Sequence, residues 1–493
     1  MDFETIIGLE VHAQLLTRSK MYCGCSAAYA EAPPNTHVCP VCLGMPGVLP
    51  VINRQAVEFT MMTALALDCT ISEYTKFDRK NYPYPDLMKG YQISQYDAPV
   101  GCNGRMELEI DGKKKKVGIT RVHLEEDVAK LLHRNTQGEE YSLVDVNRAG
   151  TPLMEIVGEP DLRSPEEARQ YLMKLRTILR YLGVSTGNME EGSFRCDANI
   201  SLLPKGDTKT TAKVEVKNMN SFKAVYQALD YEASRQRKAM AEGKRLVQET
   251  RGWVEAGGKT VSQRSKEYAH DYRYFPEPDL PPLAISREWV EEVRAKLPEL
   301  PEARRDRFVA EFGLPLYDAN LLTDTKELAD LEEEFVKAGK PANLSLSERA
   351  KIGSNWLLGE VSRIVNENKI DFADFSKRVS MEQLAELSAL NSVAVINMST
   401  AKTVLEDMFA TGKKALEIVE EKGLNQISDA AVIAAAAAQV INSNPRPVAE
   451  YRAGKEPALK FLVGQVMKAS KGRANPQLVT EILKEKLDSI QGD

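Results

Sequence analysis

Between Ile7 and Leu15 the chain alternates: Ile7, Leu9, Val11, Ala13 and Leu15 are apolar, while Glu10, His12 and Gln14 between them are polar or ionisable. A period of two predicts a strand with one face in a core and the other open to solvent or to a site. Shorter runs of the same kind recur at Lys116–Val122, Tyr141–Val146, Cys196–Leu202 and Ala212–Val216, divided by Gly, Pro and Asn. One helix interrupts them. Ser164 and Glu167 have the spacing of a capping box, Pro165 suits the first turn, Ala168, Tyr171, Leu172, Leu175, Leu179 and Leu182 follow helical spacing, and Gly183 ends the run. Many strands with few helices between them predict a mostly antiparallel α+β domain.

A Pro-rich stretch, Pro276 to Pro282, followed by Pro298 and Pro301, marks a boundary. Beyond it strand signals fade. Ser380 and Gln383 form a second capping box, and Ser428 and Asp429 stand before the Ala434–Ala438 run, which must end before Asn444-Pro445. The hydrophobic fraction of 43% is ample for packed cores, and no stretch reaches the run of about 20 apolar residues a membrane helix needs. Met1 to Thr5 lacks the basic start and apolar core of a signal peptide, so a cytoplasmic protein is expected. A net charge of −6 rules out a general basic coat for nucleic acid and restricts any RNA site to a local patch.

Four of the seven cysteines are crowded into Cys23-Gly-Cys25 and Cys39-Pro-Val-Cys42. Two short knuckles of thiolates can wrap one zinc ion, and four sulfur ligands leave no open position, which points to a structural role. An accidental cluster is the plain alternative, and a glutaminase nucleophile among them is weaker, since no neighbouring His or Glu spacing supports it. Cys69, Cys102 and Cys196 are expected to be small buried hydrophobes. Trp253 to Thr260 ends like a phosphate-binding loop in Gly-Gly-Lys-Thr, but Trp253 stands where the first glycine belongs and the flanks predict a hairpin.

Acids cluster beside strand-like segments: Glu10 with His12, His123 with Glu125, then Glu126, Asp127, Asp145, Glu155, Glu190, Glu191, Asp197 and Glu215. Oxygen-rich sites with a histidine suit magnesium held together with nucleotide phosphates. Periodicity alone leaves a solvated sheet face as good a reading. The segment Asp78 to Asp86 is basic and aromatic; its prolines predict a loop in which Arg79 and Lys80 meet phosphates and Tyr82 or Tyr84 stacks on a base or ribose. A structured surface loop is the alternative. Near the C-terminus Lys455, Lys460, Lys468, Lys471 and Arg473 give a helical unit a basic edge, a candidate RNA-backbone contact in an acidic chain.

Longer strings carry a family resemblance. Ile7 to Gln14, Phe77 to Tyr82 with Lys89 to Gln95, Val122 to Asp127, Leu143 to Glu155, Met189 to Asn199, Asp271 to Asp279 and Phe461 to Gly472 together resemble the B subunits of tRNA-dependent aspartyl/glutamyl amidotransferases over nearly the whole chain. The resemblance implies a cradle-shaped catalytic domain at residues 1–292, similar to glutamine synthetase and carrying the zinc knuckle at 23–42. It also implies a helical domain at 293–405 and a YqeY-like tRNA-binding tail at 406–493. It implies magnesium at Glu10, His12, Glu125, Glu126, Glu155 and Glu215, the candidate catalytic set. ATP and substrate contacts are expected at Arg79, Lys80, Tyr82 and Arg195, with Asp197 a further candidate.

The implied reaction converts Glu-tRNA(Gln) and Asp-tRNA(Asn) to their amides. A carboxylate is a poor acyl donor, so ATP would phosphorylate it and ammonia would attack the acyl phosphate. No Gly-Gly-Ser-Ser-Gly-type amidase stretch is present, so a separate amidase subunit (GatA) and a small third subunit (GatC) are expected as partners. Two rivals remain open: a non-catalytic tRNA-binding scaffold, and a stand-alone ligase acting on a small acid without tRNA.

Overall fold

The computed structural model describes residues 3–110, 112–136, 138–265, 271–341, 343–424, 430–470 and 473–489. The chain divides into two compact units, Met1–Leu300 and Pro301–Asp493. Strands of the first unit begin with β1 Phe3–Gln14, β2 Thr70–Ile71, β3 Tyr74–Thr75, β4 Asp78–Asn81, β5 Tyr91–Ser94 and β6 Gly101–Ile110. They continue with β7 Lys113–Glu126, β8 Lys130–Thr136, β9 Glu139–Asp145, β10 Pro152–Gly158 and β11 Phe194–Pro204. The last are β12 Val214–Lys217, β13 Glu249–Val254, β14 Lys259–Ser265, β15 Phe275–Pro276 and β16 Leu283–Ala284. Among the described residues four helices pack with them: α1 Arg54–Ala66, α2 Pro165–Tyr181, α3 Phe222–Ala241 and α4 Arg287–Arg294.

A nine-stranded sheet runs β14-β13-β12-β11-β1-β10-β7-β6-β2. Every neighbouring pair in it is antiparallel except β12 with β13, so the sheet is mixed at one step. The alternation at the N-terminus builds its centre. Ile7, Leu9, Val11 and Ala13 are buried in one core with Met154 and Ile156 of β10, Val122 and Leu124 of β7, and the apolar stripes of α1, α2 and α3. Glu10, His12 and Gln14 are left on the opposite face, because neighbouring residues of a strand point to opposite sides.

Three local expectations meet corrections. The Ser164 hydroxyl accepts from Glu167 N at 3.1 Å as foreseen, but the Glu167 carboxylate reaches one residue further back, to Arg163 N at 2.6 Å, and also takes Lys115 Nζ at 2.6 Å. The nearby lysine draws it off the box. Residues 78–81 are not loop: β4 is the middle strand of a small sheet, β15-β4-β5. Pro83 and Pro85 follow the last paired residue, Asn81, and so remove no ladder donor. Cys69 and Cys196 are buried, whereas Cys102 is half-exposed. The glycine-rich stretch after Trp253 does form the β13–β14 hairpin.

The second unit is helical among its described residues, from Pro301–Phe312 to Pro476–Ser489. The Ser380–Gln383 box closes in both directions there; Ser428 and Asp429 lie outside the described residues. Its apolar residues form two clusters, one from Phe308 to Val419 and one from Ile433 to Leu487. No helix is long and apolar enough to cross a membrane among the described residues.

Candidate metal and phosphoryl-transfer site

The polar face of the large sheet gathers its side chains by register. On β1, His12 stands opposite Glu155 of β10 on one side and Arg195 of β11 on the other. Glu155 in turn stands opposite His123 of β7. Glu10 faces Asp197, and Asn199 faces Glu215. Residues far apart in sequence thus form one polar row across five adjacent strands.

At its centre His12 Nε2 is 3.5 Å from both Glu125 Oε1 and Glu155 Oε2, and His123 Nε2 is 3.2 Å from the same Glu155 oxygen. One ligand atom each from His12, Glu125 and Glu155 lies within 4.8 Å of the others, a spacing at which all three can hold one ion. Both carboxylates are almost wholly buried. Burial pulls the His12 imidazole down, but Glu155 and then Glu125 outweigh it and raise the ring from 6.5 to about 9. Burial likewise works against Glu155 as an anion, yet His123 and His12 hold it well below the usual carboxylate range. Two oxygen donors and an imidazole in one buried corner fit a hard divalent cation.

The six expected magnesium ligands therefore fall into three places. His12, Glu125 and Glu155 converge. Glu10 and Glu215 lie along the same face around Lys217, which pairs with Asp197 and approaches Glu215 at 3.5 Å. Glu10 accepts from Asn199 Nδ2 at 2.9 Å and Glu215 from Thr250 Oγ1 at 2.8 Å. Glu126, next to Glu125 on β7, is turned away to an ion pair with Lys89 and a 3.0 Å bond from Ile93 N. It lines a separate cavity of about 240 Å³ together with Tyr22, Cys42 and Arg79.

The expected phosphate contacts divide by the same alternation on β4. Lys80 is pulled down by burial but held up by Glu125, Tyr274 and Glu155, so it stays charged beside the carboxylates. Arg79 points elsewhere, into a two-bond pair with Glu277 at 2.7 and 2.8 Å. Tyr82 donates to Gln92 at 3.1 Å. Arg195 bonds Asp127 at 2.9 Å, and Asp127, although buried, is held below its ordinary range by Arg195 and Arg148. Asp127 also accepts from Gln14 at 2.7 Å. His123 is a residue of the site that the resemblance left out of the ligand set, although its pairing with Glu125 on one strand face was read from the sequence.

Cys23, Cys25, Cys39 and Cys42 also converge, their sulfurs within 4.8 Å of one another. Cys39 and Cys42 sulfurs are 3.9 Å apart, close to the roughly 3.8 Å edge of a tetrahedron with metal–sulfur bonds of about 2.3 Å. Cys42 is drawn down to about 4 by a hydrogen bond from Cys23, against its burial, while burial first and then Cys39 push Cys25 up to about 11. A thiolate among thiols is the state from which a metal displaces the remaining protons.

In the second unit Lys455, Lys460 and Lys468 are exposed, the last two on the helix Glu456–Ala469. Arg473 instead donates to Gly423 O at 2.9 Å. Lys471 lies outside the described residues.

A sheet face on which two carboxylates and a histidine could hold one ion, beside a lysine held charged, is the class of site that suits phosphate-bearing substrates. The family description "GatB/GatE catalytic domain" matches residues 5–291, and "GatB domain" matches residues 341–487. The B subunit of an aspartyl/glutamyl-tRNA(Asn/Gln) amidotransferase from Dehalococcoides mccartyi strain CBDB1 is 60% identical, over 99% of this chain and 99% of its own. Proteins of the same name from Thermoanaerobacter sp. strain X514 and Carboxydothermus hydrogenoformans are 54% and 52% identical, each over 99% of this chain and 100% of theirs. The chain belongs to this family of amidotransferase B subunits.

Proposed function

We propose that this chain is the component of a glutamine-dependent amidotransferase that converts Glu-tRNA(Gln) to Gln-tRNA(Gln) and Asp-tRNA(Asn) to Asn-tRNA(Asn), and that its sheet face phosphorylates the tRNA-borne carboxylate with ATP. The observation that carries this is the convergence of His12, Glu125 and Glu155 beside Lys80. A carboxylate and a triphosphate are both anions, and they approach each other only where positive charge screens them. Magnesium fits the donor set of His12, Glu125 and Glu155, and when bound it would neutralise phosphate charge. Lys80 supplies a second, fixed positive charge, sustained by the same carboxylates. Arg195, anchored on Asp127, offers its remaining guanidinium edge to the substrate carboxylate. Glu10, Asp197 and Glu215 stand around Lys217 on the same face and are assigned to the nucleotide side of the site. The resulting acyl phosphate loses phosphate when ammonia attacks its carbonyl carbon, so the bond to oxygen is replaced by one to nitrogen.

The relatives' designation as B subunits supports the presence of partner subunits; ammonia is assigned to a separate amidase subunit, accompanied by a third, small subunit. The cysteine cluster is assigned to structural zinc. Residues 293–405 are assigned to a helical domain and residues 406–493 to a YqeY-like tail that binds tRNA. The cradle is expected to share its architecture with glutamine synthetase, and the complex to work in the cytoplasm. The test is to supply the assembled complex with labelled ATP and Glu-tRNA(Gln). ADP and phosphate are expected; AMP would exclude the kinase step. Glu125→Gln is expected to abolish ADP formation, and full amidation by that variant would make the chain a scaffold.

A further inference from the structure

Beside the carboxylate site lies a group of four tyrosines that the phosphoryl chemistry does not use. Tyr96 and Tyr274 are stacked, ring centroids 4.4 Å apart and 11° from parallel. Tyr272 meets Tyr274 edge-on at 6.0 Å and Tyr82 at 5.8 Å. Lys80 Nζ is 5.1 Å from the Tyr272 ring centre and 5.9 Å from that of Tyr82, so the cation at the carboxylates is also the cation over these rings. On β5, Ser94 Oγ is 3.4 Å from Glu125 Oε2, and Tyr96 comes two residues later, with its N–H on Asp78 Oδ2 at 3.2 Å.

The backbone spends strain to hold this group. Arg273, between the two tyrosines, has φ of +46°, a left-handed conformation that a non-glycine residue adopts at a cost. It is kept there by Asn81, whose N–H and side-chain amide donate to Tyr272 O and Arg273 O, both at 2.9 Å. Packing does not account for the arrangement, since the outermost ring, Tyr96, is 55% exposed. An exposed aromatic ring backed by a parallel one is a surface for another flat ring.

We propose that the Tyr96–Tyr274 stack is a platform for an adenine ring arriving at this site. This rests on the function proposed above, whose substrates bring two adenines: that of ATP and the terminal adenosine of tRNA. Both are flat, both are joined through a ribose and a short flexible chain to the groups that must meet at Glu125 and Glu155, and Lys80, beside those carboxylates, lies over Tyr272, the ring that meets Tyr274 edge-on.

The experiment measures, on the assembled complex, equilibrium binding of ATP, of full-length tRNA(Gln), and of tRNA(Gln) lacking its terminal adenosine, for Tyr96→Ala and Tyr96→Trp. Loss of one stacked base weakens binding by about tenfold. If the nucleotide occupies the platform, Tyr96→Ala weakens ATP about tenfold and leaves both tRNAs unchanged. If the terminal adenosine occupies it, Tyr96→Ala weakens full-length tRNA alone, down to the level of the truncated one. Tyr96→Trp restores binding in either case. Unchanged binding of all three ligands, or an equal loss for all three, overturns the platform. Failure here with Glu125→Gln still inactive sinks the platform alone; phosphoryl transfer surviving Glu125→Gln sinks the function beneath it.

Discussion

At the scale of single residues, the site depends on which side of a strand each acid occupies. Glu125 and Glu126 are adjacent, so the pleat sends one to His12 and the other to Lys89. Conservative changes therefore separate them. Glu125→Gln is expected to weaken binding of Mn2+, a paramagnetic stand-in for magnesium, by at least about tenfold, whereas Glu126→Gln leaves it within about twofold. Electron paramagnetic titration of the chain without nucleotide reads this directly, and equal losses would remove the distinction. A second acid tests burial alone. Glu332 in the helical unit is fully buried, its two carboxylate oxygens have no hydrogen-bond partner among the described residues, and desolvation with the nearby Asp318 raises it well above 4.5. The folded chain then holds Glu332 neutral while the unfolded chain ionises it above about 4.5. Folding stability is thus lost as pH rises from there toward the raised folded value, at no more than about 1.4 kcal/mol per pH unit. Glu332→Gln, which cannot ionise, is expected to match the parent chain at pH 4 and to melt higher than it at pH 8. Equal melting temperatures at both values would mean that Glu332 is not buried as a neutral acid.

At the scale of elements, the least regular segment is the one with the cysteines. Between Leu15 and Asn53 the described backbone contains no helix and only the isolated bridge of Ser19 with Ser26. Such a stretch has few ladder bonds to oppose chain entropy, and if the cysteines hold zinc, that ion adds to contacts such as those of Asn35 and His37 with residues 144–147. Chelation, or Cys39→Ser, is expected to release about one zinc per chain and to open proteolytic cleavage between residues 23 and 45 before the large sheet unfolds. Mass spectrometry of the early fragments checks this, and cleavage elsewhere first would place the order in other contacts. Periodicity and turn chemistry are local, which is why β1, the helix after Ser164, the Ser380 box and the β13–β14 hairpin were all readable from sequence. The failures share the opposite property. Glu167 was drawn from its cap by Lys115 on a distant strand, and residues 78–81 became a middle strand because Tyr91–Ser94 and Phe275–Pro276 arrived on either side. The site divides in the same way. His12 with Glu10 was visible in one strand, but that His12 would face Glu155 and Arg195 is a matter of register between segments far apart, which no local pattern encodes.

At the scale of the whole molecule, the two units separate kinds of work. The first holds buried charges that are expensive to desolvate and are offset by one another and by neutral donors such as Gln14 and Ile93 N, a placement suited to chemistry rather than to general binding. The second keeps its ionisable groups mostly on the surface, including Lys455, Lys460 and Lys468. Surface cations act on a polyanion through counterion release, so under the proposed function their share of tRNA affinity falls with salt, while a buried cation site responds far less. The double variant Lys460→Glu, Lys468→Glu is therefore expected to raise the KM for charged tRNA and to reduce the slope of log affinity against log salt by about one for each phosphate that is no longer engaged. It should leave ATP binding in the absence of tRNA unchanged. Fluorescence anisotropy of labelled tRNA(Gln) at salt concentrations of roughly 50 to 200 mM, the range over which such slopes are read, distinguishes the outcomes. Weaker affinity with the slope unchanged would mean that these lysines meet no phosphate, and that tRNA is held on another face of the chain.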